Sequence, residues 1–78
     1  MDKAKFNIKF GKFVAGKRIK MGFTQSELAS MVGNNAQNIS RLERGEVSPT
    51  LYWVSKLAKA FNQSLLELIN EFDSFSNN

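Results

Sequence analysis

The 78-residue chain contains no cysteine and no histidine. The first absence excludes a disulfide framework, a thiol nucleophile and a thiolate metal site. The second removes the commonest general base and the commonest neutral metal ligand. No carboxylate cluster and no glycine-rich phosphate loop stand in for them, so neither enzyme activity nor a cofactor is expected. No apolar run reaches membrane-spanning length, and the first residues lack the apolar segment of a signal peptide. A cytoplasmic protein with no membrane partner is the expectation. There is one proline and no internal repeat. The chain reads as helices throughout, and no strand is predicted. The length fits one small domain and leaves no region for a ligand-sensing unit, so no small-molecule ligand is expected.

Hydrophobic content of 42%, with seven phenylalanines, suffices for one compact core. A core of this size is marginal by itself, and a second subunit would help it. The net charge of +4 is unevenly spread. Residues 1–44 carry nine Lys and Arg against the acids Asp2, Glu27 and Glu43, whereas residues 45–78 carry Lys56 and Lys59 against four acids. A polyanion would therefore meet the first half of the chain.

Residues 1–7 are lysine-rich and weakly patterned. They are expected to form a flexible arm, with the folded domain over 8–72 and a frayed polar tail over 73–78. Asn7 is a possible N-cap for a first helix with Phe10, Val14 and Met21 on one face, ending at Gly22. Thr24-x-x-Glu27 has capping-box spacing and opens a second helix that buries Leu28, Ala29 and Val32 and stops at Gly33. Asn35 caps a third helix, 36–43, with Ile39 and Leu42 inward. Pro49 marks a loop. Thr50 caps a fourth helix with Leu51, Val54, Leu57, Ala58 and Phe61 inward, and Asn62 ends it in the left-handed region. Ser64-x-x-Glu67 opens a fifth helix with Leu65, Leu68, Ile69 and Phe72 on its apolar side. The class is all-α, five short helices.

The third helix is the informative one. At 100° per residue, Ile39, Leu42 and Glu43 fall on one side, and Gln37, Ser40, Arg41 and Arg44 roughly opposite. Polar outer faces are ordinary. This one pairs an amide with a guanidinium, groups that can bond base edges in bidentate fashion, and it carries no acid to repel phosphate. The helix before it begins at Thr24 and Gln25 with unsatisfied backbone N–H groups and a positive dipole end, where a phosphate is well held. A short Gly33–Asn35 turn lets one helix lie on the DNA backbone while the next enters the major groove.

The stretch "GFTQSELASMVGNNAQNISRLERGEVSPT" resembles the helix-turn-helix of the phage-repressor-like (Cro/repressor, XRE) family. The likeness rests on T-Q-x-x-L-A, the turn glycine, I-x-x-L-E-x-G and the following proline. It extends over about residues 10–70, including Gly11, Arg18 and "LAKAF". It implies a five-helix, lambda-repressor-like domain that binds double-stranded DNA. On this resemblance Ala36, Gln37 and Arg41 face the bases, and Gln25 and Arg44 lie at phosphates; Thr24 and Ser40 are expected to contact phosphate with them. Phage repressors often have an amide at the position of Ala36, which can bond the one matching Gln25; Ala36 cannot, though its methyl could touch a thymine methyl. Val47 and Ser48 also stand where some members have basic residues. The family's matching pair makes Arg18 and Glu43 a structural ion pair, and the inward position of Glu43 favours it, because an unpaired buried carboxylate is costly.

The expected function is that of a dimeric repressor on a palindromic operator, occluding polymerase. The alternative is an antitoxin-like or adaptor protein that mainly binds a partner protein. Lys3, Lys5, Lys9 and Lys12 read as a solvated tail rather than an arm along DNA. Phe6, Phe13, Tyr52 and Trp53 fit no core face cleanly and belong at the core edge or in a subunit contact. Leu66 lies off its helix's core face and is a dimer-contact candidate.

Overall fold

The computed structural model describes residues 1–77. They form α1 (Lys3–Lys20), α2 (Gln25–Met31), α3 (Ala36–Glu43), α4 (Leu51–Ala60) and α5 (Leu65–Ser76), with no strand among the described residues. None of these helices is long and apolar enough to cross a membrane. Each starts at a short polar residue whose side chain accepts the N–H three residues on: Asp2, Thr24, Asn35, Thr50 and Ser64. Thr24 and Ser64 complete full capping boxes with Glu27 and Glu67. Asn62 ends α4 with φ of 59°, a left-handed conformation that asparagine tolerates.

The first helix corrects the expectation of an arm over 1–7. Asp2, not Asn7, is its N-cap, accepting the Lys5 N–H at 2.8 Å. Asn7 is instead buried within the helix, and its Oδ1 accepts a 2.7 Å hydrogen bond from the Ser48 hydroxyl. The extra turn has a partner distant in sequence. The Phe6 and Phe10 rings meet Phe72 of α5 edge-on at 5.4 and 5.1 Å. Lys9 Nζ donates to the Ser76 carbonyl at 2.9 Å. The same contacts make 73–76 helical rather than frayed, and the end of the expected tail, Asn78, lies outside the described residues.

The core joins all five helices: Phe10, Phe13 and Val14; Leu28, Ala29 and Val32; Ile39 and Leu42; Leu57, Ala58 and Phe61; Leu68. Each fully buried Leu or Ile contributes about 1.5–3 kcal/mol of transfer free energy. Phe13 is thus a core residue and not an edge aromatic. Met21, Leu51 and Ile69 are exposed although the helical pattern places them inward. Met21 is the C-cap of α1 and Leu51 the first residue of α4, so each overshoots the packed span of its helix.

Two glycines fix how α1 meets α3. A Cβ on Gly11 would lie 2.5 Å from the Leu42 carbonyl oxygen and 2.6 Å from that of Glu43, so backbone packs on backbone there. Gly45, just past α3, has φ of 77°, and a Cβ on it would strike Ile8 Cα at 2.8 Å.

Candidate nucleic-acid interface

The α2–turn–α3 unit is stitched at both ends. At the turn, the Asn34 N–H donates to the Ala29 carbonyl at 2.9 Å. Its Oδ1 accepts from the Asn35 N–H at 2.9 Å and from Asn38 Nδ2 at 2.7 Å. The side chain of Asn34 therefore ties the bend to the first turn of α3, a role with no periodic signature in the sequence.

At the other end the structure brings Arg18, Gln25 and Glu43 together. Arg18 Nε donates to Glu43 Oε2 at 2.7 Å and its second terminal nitrogen to Oε1 at 3.2 Å, a two-pronged pair. Its remaining terminal nitrogen donates to the Phe23 carbonyl at 2.8 Å. Gln25 Nε2 donates to Glu43 Oε1 at 3.0 Å. The side chains of Arg18 and Glu43 keep only 14% and 7% of their exposure. One carboxylate thus clamps α1, the start of α2 and the end of α3. The Arg18–Glu43 ion pair and the Gly11 contact act at the same end of α3, which fixes its attitude.

With that end held, the opposite face of α3 is presented outward. Ala36 is half-buried at the first position of the helix, while Gln37 and Arg41 are exposed. The eight residues span about 12 Å along the axis. Thr24 is exposed, but its hydroxyl is engaged in the capping box, accepting from Glu27 at 3.0 Å. The backbone N–H groups of Gln25 and Ser26, at the first two positions of α2, have no acceptor within the helix. Gln25 directs its amide nitrogen to Glu43 and keeps its carbonyl oxygen for other donors. Ser40 is half-buried, and its hydroxyl accepts a short hydrogen bond from Arg44, the C-cap of α3.

The expectation of a face without acids needs correction. Glu46, one residue past Gly45, reaches back onto it. Its Oε2 accepts from Arg44 Nε at 2.7 Å, and its Oε1 lies 3.4 Å from a second Arg44 nitrogen and 3.8 Å from Arg41 Nε. The hydrogen bond from Arg44 holds the Glu46 carboxyl below the usual carboxylate range and raises the Arg44 guanidinium correspondingly. On the helical wheel Glu46 belongs to the loop, so nothing in the periodic pattern places it here.

Comparison with known proteins agrees with this architecture. A helix-turn-helix family model matches residues 15–68. An HTH-type transcriptional regulator of Archaeoglobus fulgidus is 41% identical over 51 residues, covering 65% of this chain and 73% of its own. Another from Sinorhizobium fredii is 36% identical over 63 residues, covering 81% and 82%. Among solved structures, the restriction-modification controller protein C.AhdI from Aeromonas hydrophila superposes with a TM-score of 0.77 at 30% identity. That match covers 82% of this chain and 97% of the controller.

Proposed function

The chain belongs to the helix-turn-helix family of DNA-binding transcriptional regulators, and from that membership we propose that it is a sequence-specific, dimeric repressor reading the major groove with α3. Gln37 and Arg41 bond base edges, with the Ala36 methyl against the base face. The N-terminus of α2 at Thr24 and Gln25, with Ser40 and Arg44 on α3, grips phosphates. Repression is by occlusion of polymerase, in the cytoplasm.

The observation that carries this reading is the clamp behind α3. Arg18, Gln25 and Glu43 orient one helix whose outer face carries the Gln37 amide and, 3.8 Å from Glu46, the Arg41 guanidinium. Dimerisation is supported by the exposed Leu51, Leu66 and Ile69 on α4 and α5. A twofold pair would set two copies of α3 about 34 Å apart, one DNA turn, matching a palindrome. C.AhdI is a restriction-modification controller, and such control is one context that suits a regulator of this kind.

Selection of bound sequences from random duplexes tests the reading. A palindrome with half-sites one turn apart is expected; recovery of no enriched sequence overturns it. The alternative of a partner-protein adaptor rests on an open groove of about 470 Å³ between α1 and α5, where Phe13, Ile19, Met21 and Phe75 are rimmed by lysines and Glu71. A stable heterocomplex with no duplex selectivity would favour that instead.

A further inference from the structure

Glu46 breaks two local rules. It puts a negative charge at the C-terminal, negative end of the α3 dipole, where a cation is favoured. It also puts an acid against the two arginines assigned to DNA. Its position is not left to a mobile loop. The Glu46 N–H donates to the Arg41 carbonyl and the Gly45 N–H to that of Leu42, both at 3.0 Å, with Gly45 at φ of 77°. These are the paired bonds of a Schellman cap, and they lock the Glu46 backbone over the last turn of α3. That position is commonly apolar in such caps, so a carboxylate here answers to something other than helix termination.

We infer that Glu46 is an intrinsic phosphate mimic that competes with DNA for Arg44 and thereby weakens contacts to the duplex backbone. The inference rests on the DNA-binding reading above. A phosphate that takes the Nε side of Arg44 displaces the 2.7 Å contact, and one that takes its free N–H groups still meets the Glu46 carboxylate beside it. Phosphate contact is nearly the whole of non-specific binding. Base contacts by Gln37 do not pass through the shared carboxylate. Glu46 therefore keeps adherence to random duplex weak and short-lived, leaving the base-reading side chains to supply the affinity that distinguishes an operator.

The test compares wild type with Glu46→Gln, Arg44→Ala and the double variant, titrated with the selected duplex and with a random duplex over a range of salt. Glu46→Gln is expected to bind both duplexes roughly two- to fivefold tighter per subunit, with a salt slope steeper by about 0.9 per subunit. In the Arg44→Ala background most of that gain should vanish, because the competed guanidinium is gone. Unchanged affinity of Glu46→Gln on both duplexes overturns the inference while leaving the DNA-binding reading intact. Weaker binding to the selected duplex alone overturns it too, making Glu46 a base contact or a positioning residue for Arg41. A gain fully retained without Arg44 would show a long-range charge effect and likewise overturn it. Failure of the wild-type chain to bind any duplex overturns both this inference and the function it deepens.

Discussion

Replacing Glu43 with glutamine is the most direct test of how α3 is aimed. The native carboxylate accepts from three donors: two Arg18 nitrogens at 2.7 and 3.2 Å and the Gln25 amide at 3.0 Å. Glutamine keeps the shape but offers one accepting oxygen, and its own amide would point N–H groups at donors. Stranding one partner of a buried ion pair costs about 3–5 kcal/mol. Arg18 retains 14% exposure and can recruit some water, so about 2–4 kcal/mol is expected here. A domain of this size has a total stability of roughly 4–12 kcal/mol, so the loss is large. Thermal unfolding should shift down by at least about 10 °C. Affinity for the selected duplex, measured well below the new midpoint, should also fall although Glu43 touches no DNA. The double variant with Arg18→Met should be less destabilised than the two single losses added together. A midpoint within about 2 °C of wild type together with unchanged affinity would refute the clamp; these limits lie well inside the shift expected from a buried pair.

Four further outcomes follow from the same geometry. Gln37→Ala or Arg41→Ala should each cost about 1–3 kcal/mol on the selected site and relax preference at one base position, read by binding to single-substitution duplexes. Arg44→Ala should weaken all duplexes alike and make the salt slope shallower by about 1, read by titration over a range of salt. Gly11→Ala should be strongly destabilising because its Cβ would sit 2.5 Å from a carbonyl oxygen, whereas Gly16→Ala, with open space around it, should raise stability by up to about 1 kcal/mol; urea unfolding of both compares them. Glu67 is held below its ordinary range by hydrogen bonds from Ser64, and Glu71 by those from Gln63 and Lys17. Depressed carboxyls contribute stability above their unfolded-state pKa and lose it as pH falls through the folded value. The unfolding midpoint should therefore be flat from neutrality to about pH 5 and fall below about pH 4, measured by circular dichroism.

Local chemistry made much of the fold legible. Thr24, Asn35, Thr50 and Ser64 announce their helices because a cap needs only its own next three residues, and Asn62 is a terminator for equally local reasons. The start of α1 was hidden because Phe6 finds its partner only once Phe72 arrives from the far end of the chain. Asn7 mimics a cap in sequence, but its real partner is Ser48, 41 residues away. At the site, the wheel separates Ile39 and Leu42 from Gln37 and Arg41, and the family likeness joins Arg18 to Glu43. Glu46 escaped both routes: the chain reverses at Gly45 and carries it back onto a face to which periodicity does not assign it.

The contact at Gly11 has a wider consequence. Where two main chains touch without side chains between them, their separation is set by peptide dimensions and not by the sizes of neighbouring residues. The spacing of α1 and α3 at that point is then independent of side-chain volume. Exchanges at Leu57 or Leu68 would alter how firmly the molecule holds together but leave this contact as it is. A side chain of any size at position 11, by contrast, would have to wedge the two main chains apart.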